Sequence, residues 1–178
     1  VTLWLNTSIT TTLIPSKMVS IVTSLLQARV ISCAQLGLVG NTRLIGCAGR
    51  LEYVKGHDIA IRALVHLPAD ICLAIAGAGS QRGPLEDLVK QLGLQNRVVF
   101  LGLVSDMPLF YRALNVFCMP SRMEGFPLST LEAQACDTPT VATGVGATSE
   151  TLCPLSSKLV APSNPLQFAQ AIEHLINN

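Results

Sequence analysis

Two basic residues, Arg50 and Lys55, stand five positions apart in the stretch Gly49-Arg50-Leu51-Glu52-Tyr53-Val54-Lys55-Gly56. Arg50 offers a planar fork of donors and Lys55 a compact charge, a pair suited to a pyrophosphate. A helix opening at Gly56 would add its unpaired N–H groups to the same anion. A solvated basic loop explains these residues equally well. Further along, two acids, Glu124 and Glu132, stand eight positions apart in Pro120-Ser121-Arg122-Met123-Glu124-Gly125-Phe126-Pro127-Leu128-Ser129-Thr130-Leu131-Glu132-Ala133. A carboxylate accepts two adjacent sugar hydroxyls, as the acidic residue of dinucleotide-binding folds does. Gly125 lets backbone pass close to a ligand, and the N–H groups around Leu128 and Ser129 would make a second anion site. For Glu132 the structural alternative is a helix-start acid that favours the macrodipole, boxed with Ser129. Glu124 has no comparable structural role in the pattern.

Two further segments carry weaker signals. Ala76-Gly77-Ala78-Gly79-Ser80 holds a short Gly-x-Gly without the third glycine of the dinucleotide fingerprint, and a turn before a helix accounts for it as well. In Phe100-Leu101-Gly102-Leu103-Val104-Ser105-Asp106, backbone near Leu103 and Val104 could line a base pocket, while Asp106 is most simply an N-cap. His57, His66 and His174 lie on or beside expected helices and read as surface histidines, His57 being close to the basic loop.

All of these segments follow apolar runs. From residue 43 onward, runs of about five apolar residues alternate with amphipathic stretches of about ten. Strands are predicted at 44–48, 71–76, 98–101, 116–119, 140–142 and 159–160. Helices are predicted at 56–67, 84–92, from the Asp106 cap to 114, at 127–136 and at 165–176. The strands are continuously apolar, as expected where helices cover both faces of a parallel sheet. Strand–helix alternation predicts an α/β fold, a single Rossmann-like, doubly wound parallel sheet with right-handed crossovers. In such sheets ligands bind at the carboxyl ends of the strands, where the four segments fall.

Composition sets the outer limits. With 178 residues, 49% of them hydrophobic and 13% charged, the chain has enough apolar matter for one well-buried domain and is no disordered segment. A formal charge of +1 and 4% aromatic residues argue against a nucleic-acid partner. Six cysteines without a CxxC pair read as small core hydrophobes in a reducing, cytoplasmic setting. No metal-ligand cluster is evident, no apolar run reaches about 18 residues, and no signal-peptide cleavage pattern is seen. Residues 1–40 contain no acid and are rich in Ser and Thr, so they read as an atypical N-terminal segment or linker remnant, with a helix near 16–36. Residues 41–178 read as the ligand-binding domain.

Two cations, a helix N-terminus and two carboxylates at one sheet edge match a nucleoside diphosphate joined to a polyhydroxylated group. On these residues the sequence resembles the C-terminal, donor-binding half of a retaining glycosyltransferase of the GT-B type, in the group 1 family that includes glycogen synthase and sucrose synthase. The matching residues run in order from Gly49-Arg50-Leu51 and Lys55-Gly56 through Gly77-Ala78-Gly79, Arg97 to Gly102 and Pro120-Ser121 to Glu124-Gly125-Phe126 and Glu132-Ala133. The resemblance covers roughly residues 32–178. It implies that Arg50 and Lys55 bind the donor diphosphate, Glu124 the transferred sugar and Glu132 the ribose. Gly77, Gly125, Phe126, Leu128 and Ser129 would line the donor, and Val104 would contact the base. It implies hexosyl transfer, with retention and without a metal or cofactor, from a nucleotide sugar to an acceptor hydroxyl in glycan or glycolipid biosynthesis. An N-terminal domain would bind the glycan or lipid acceptor and supply the second wall of the cleft, so this stretch alone would bind donor and transfer little. A peripheral membrane association through parts outside the stretch is compatible with this. The alternative is a non-catalytic nucleotide-sugar binding module; a generic nucleotide-binding regulator is a third reading. Asp137 stands where the family usually has Gly, at an expected left-handed turn.

Overall fold

The computed structural model describes residues 43–177; the segment 1–40 and the helix expected near 16–36 lie outside the described residues. Six parallel strands, β1 (Arg43–Ala48), β2 (Ile71–Ala76), β3 (Val98–Gly102), β4 (Val116–Met119), β5 (Thr140–Thr143) and β6 (Ser157–Val160), form one sheet in the order β3-β2-β1-β4-β5-β6. The helices are α1 (His57–Leu64), α2 (Arg82–Gln91), α3 (Met107–Ala113), α4 (Leu128–Ala135) and α5 (Pro165–Asn177). The expected α/β architecture is therefore the one observed.

The burial pattern explains why β2, β4 and β1 from Leu44 onward are apolar throughout. Alternate residues point to opposite faces. Ile45, Cys47, Val116, Cys118 and Val141 pack with α1, α2 and α5 on one face. Leu44, Ala74, Phe117, Met119 and Ala142 pack with Phe110, Tyr111 and Ala113 of α3 and Ala133 of α4 on the other. Only β3, at an edge, is half-buried along its whole length.

Element boundaries differ from expectation by a few residues, for local reasons. The chain leaves α1 at Leu64 rather than 67, through tight turns in which Val65 N–H bonds to Arg62 and His66 N–H to Ala63. Pro68 lies just ahead and disfavours helical backbone in the residue before it. Helix α2 starts at Arg82, two residues before Pro84, which is tolerated in a first turn whose N–H groups have no helical partner. Asp106 caps α3 as expected, accepting Leu109 N–H at 2.9 Å. The capping box weighed for Ser129 and Glu132 does not form: the N-cap of α4 is Pro127, which makes no side-chain cap bond. Two 3₁₀ turns, Tyr53–Lys55 and Thr148–Thr151, were outside the sequence expectation.

The C-terminus of α4 closes in a Schellman arrangement. Asp137 N–H bonds to Gln134 at 3.0 Å and Thr138 N–H to Ala133 at 3.0 Å, with Asp137 at φ 59°. A non-glycine residue in this region carries strain that glycine avoids. Asp137→Gly is therefore expected to raise stability by about 0.5–1 kcal/mol, the relief of strain outweighing the freedom gained by the unfolded chain. Urea denaturation checks this; an unchanged or lower midpoint would show that the turn is not strained.

Candidate functional site

The order of the strands reverses between the neighbours β1 and β4: β2 and β3 follow outward from β1 on one side, β5 and β6 outward from β4 on the other. At such a point the connections leave in opposite directions and open a crevice at the carboxyl edge. The loops there are knitted by backbone. Gly49 N–H bonds to Ala76 at 3.0 Å, Leu51 N–H to Ala78 at 2.9 Å, Gln81 N–H to Leu51 at 2.8 Å and Gly77 N–H to Gly102 at 2.7 Å. Two glycines permit this approach. Gly77, at φ 143°, faces the Gly49 carbonyl so closely that any side chain would strike it. Gly56, at φ 66°, faces the Pro120 carbonyl in the same way and brings the basic loop onto the loop after β4.

A cleft of about 340 Å³ opens on this edge, with Arg50, Gly77, Val104, Tyr111, Ser129 and Glu132 among its walls. Five of the residues singled out from sequence, Arg50, Gly77, Val104, Ser129 and Glu132, thus share one cavity although they come from three separate loops and helix α4. Lys55 and Glu124 are brought together beside it: Lys55 Nζ lies 2.7 Å from Glu124 Oε1, and Ser121 Oγ donates to the same oxygen at 2.6 Å. The two side chains are 26% and 10% exposed, so this is a largely desolvated pair. Gly125 and Phe126, on the loop that follows, and Leu128, the first residue of α4, are exposed and are not among the residues lining the cleft. Arg50 and Lys55 therefore share an edge with Glu124 and Glu132, but Lys55 is engaged by an acid.

Glu132 is held from an unexpected side. Tyr111, buried in α3, donates its hydroxyl to Glu132 Oε2 at 2.8 Å. Burial, reinforced by the Glu132 carboxylate, pushes the Tyr111 phenol well above its ordinary range. Between the first two loops, Glu52 accepts from Ser80 Oγ at 2.8 Å and from Ser80 N–H at 3.2 Å, and these bonds hold its carboxyl below the usual range. Arg122 makes a forked pair with Asp58, at 2.8 and 2.7 Å, donates to the Tyr53 carbonyl and stacks on the Tyr53 ring. Burial pushes the Asp58 carboxyl up, but the Arg122 fork and charge more than offset this and hold it low.

His57 corrects the expectation of a surface histidine: it is only 3% exposed, with Nε2 3.2 Å from the Arg50 carbonyl oxygen. The left-handed turn at Gly56 tucks the first residue of α1 under the basic loop. His66 and His174 are exposed as expected. Sequence reasoning missed Tyr111, Ser121 and the Asp58–Arg122 brace. Ser121 falls within the quoted motif, but nothing local marks a tyrosine in α3 as the partner of an acid in α4. Among the described residues no group of three or more His, Cys, Asp or Glu is placed to hold a metal ion. None of their helices is long and apolar enough to cross a membrane.

Residues 32–178 match the family profile described as Glycosyl transferases group 1. A D-inositol 3-phosphate glycosyltransferase of Xylanimonas cellulosilytica is 37% identical over 156 residues, which is 84% of this chain and 37% of that protein. The chain thus spans little more than a third of this curated relative. The crystal structure of HepE of Anabaena in complex with UDP-glucose superposes with a TM-score of 0.79 at 30% identity, over 84% of this chain and 43% of HepE. The C-terminal domain of the group 1 family protein LpcC of Francisella tularensis gives a TM-score of 0.75 at 29% identity, over 84% of this chain and 83% of that domain.

The Asp58–Arg122 brace ties α1 to the loop after β4. Because the folded carboxyl is held below its unfolded value of about 3.9, its stabilisation is complete above that pH and is lost as pH falls through the folded value. The stability gap between the parent and Asp58→Asn is expected to be on the order of 1–2 kcal/mol at pH 6 and to narrow steadily from about pH 4 downward. Urea titrations at stepped pH measure it; a gap that stays constant to pH 2 would sink the assignment.

Proposed function

The chain belongs to the glycosyl transferases of group 1, and on that premise we propose that residues 43–177 form the donor-binding half of a retaining glycosyltransferase. The donor is a nucleoside diphosphate sugar, and uridine is the first base to test because the similar HepE is known in complex with UDP-glucose. One observation carries this reading: Arg50, Gly77, Val104, Ser129 and Glu132 line a single cleft, with Lys55 and Glu124 beside it. The likeness to an isolated C-terminal domain supports the reading of these residues as one half of a longer enzyme. The exposed apolar side chains of Met123 and Phe126, on the loop after β4, and of Leu128, at the start of α4, fit a second wall closing over it.

In this reading the base rests near Val104, Glu132 accepts the ribose hydroxyls, and Arg50 takes the diphosphate. Lys55 swings from Glu124 to the phosphates when donor enters. Glu124, relieved of its cation, accepts hydroxyls of the sugar. The bond from the anomeric carbon to the phosphate oxygen breaks and a bond to the acceptor oxygen forms on the same face. The products are a glycoside, a nucleoside diphosphate and the proton of the acceptor hydroxyl. Arg50, Lys55 and the N–H groups at the start of α4 stabilise the charge that gathers on the departing diphosphate. This division of labour needs no metal ion. The acceptor is a glycan or lipid hydroxyl positioned by parts of the longer protein. The free thiols of the described cysteines suit a reducing, cytoplasmic setting.

A panel of UDP-, GDP- and ADP-sugars screened by thermal denaturation tests the donor. At a hundred times its dissociation constant the true donor stabilises by about 2.7 kcal/mol, and a chelator leaves that unchanged. Glu132→Ala is expected to weaken the nucleotide and its sugar-bearing form alike by roughly tenfold or more. Glu124→Ala should chiefly erase the preference for the sugar-bearing form. Calorimetry that finds the parent and both variants equal would refute the site.

A further inference from the structure

The wall of the cleft contains a core side chain whose polar atom meets a residue of the candidate site. Tyr111 is 1% exposed, and its ring is fixed edge-on against Phe117 at 5.2 Å and Phe110 at 5.8 Å. Its own carbonyl accepts Thr138 Oγ1 at 2.9 Å, which fastens α3 to the end of α4. The one polar atom of this rigid ring reaches Glu132 Oε2. Glu132 is an exposed residue in the middle of α4, where a glutamate ordinarily samples many rotamers. The same two residues also border a second hollow of about 360 Å³, bounded by Met107, Pro108, Ala135 and Cys136. Unheld, the Glu132 carboxylate could turn into that hollow and away from the nucleotide.

We propose that Tyr111 is a positioning residue: its hydroxyl takes one oxygen of Glu132 and thereby holds the carboxylate as a fixed acceptor for the ribose diol, so that the cleft selects ribonucleotides over 2′-deoxyribonucleotides. This rests on the reading of Glu132 as the ribose acceptor. The phenol remains a neutral donor because burial and the adjacent carboxylate both oppose its ionisation. A bond to a charged acceptor in a partly desolvated wall is among the stronger kinds, so its loss is legible in affinity. A site built around a hydroxyl discriminates against the analogue that lacks it.

Isothermal calorimetry on the whole chain, with UDP, GDP and ADP each set against its 2′-deoxy counterpart, gives the test. The parent is expected to favour the ribose form of its preferred nucleotide by about tenfold or more. Tyr111→Phe keeps the ring and removes only the donor. It is expected to cut that preference to about threefold or less, by weakening the ribose form while the deoxy form changes by less than about twofold. Glu132→Asp, a change on an exposed helix position, keeps a carboxylate but draws it out of reach of the tyrosine, and should lose the preference to the same degree. In a Glu132→Ala background, Tyr111→Phe should have no further effect on the preference. Full preference in a folded Tyr111→Phe, or in Glu132→Asp, overturns the proposal. So does an equal loss for both nucleotide forms, which would mark Tyr111 as merely structural. Failure of the parent to bind any of the three nucleotides would instead overturn the donor-site reading beneath it.

Discussion

An ion pair of 2.7 Å between Lys55 and Glu124 joins the loop after β1 to the loop after β4, across the point where the strand order reverses. These two strands are neighbours in the sheet, but their loops are 69 residues apart in the chain. Bringing the loops into contact requires the left-handed turn at Gly56, against which the Pro120 carbonyl lies directly. It also requires Arg122, whose backbone N–H bonds to Val54 at 2.8 Å while its guanidinium grips Asp58. The pair is thus held by backbone on both sides. With most of its surface out of water, neither charge tolerates losing its partner unless another takes its place. In the proposed reading, a diphosphate would take the place of Glu124 beside Lys55 and a sugar hydroxyl that of Lys55 beside Glu124.

The sheet supplies the rigidity behind this. Helices pack on both faces of the central strands, and the loops at the carboxyl ends of the strands are joined by backbone bonds from one to the next. Gly49 N–H to Ala76, Leu51 N–H to Ala78 and Ser80 to Glu52 fasten the first loop to the second. A preorganised cradle of this sort loses little conformational freedom on binding.

Much of this was legible in the chain itself. The continuous apolar runs announce a sheet covered on both faces because only such strands need no polar side, and Asp106 marks a helix start because its carboxylate satisfies an orphan N–H. The left-handed turn at Asp137 was expected from the resemblance, and it too is local, since the Schellman bonds involve only its near neighbours. The basic loop and the two acids could be named from residue type and spacing, and the parallel strand–helix rhythm was enough to place them on one edge.

Other features depend on residues distant in sequence that meet only once the sheet is assembled. His57 reads as an exposed helix residue until the turn at Gly56 buries it beneath Arg50. Glu132 reads as a sugar-hydroxyl acceptor or a helix-start acid, and only when α3 packs beside α4 does the Tyr111 hydroxyl meet it. Lys55 and Glu124 read as separate ligand contacts until β1 and β4 become neighbours. The sequence by itself determined the covered parallel sheet and the kinds of charge at its edge, because periodicity and residue chemistry are properties of short stretches. Only the tertiary structure decided which charge holds which, because a partner tens of residues away is chosen by strand order and helix packing, and neither is written at any single position.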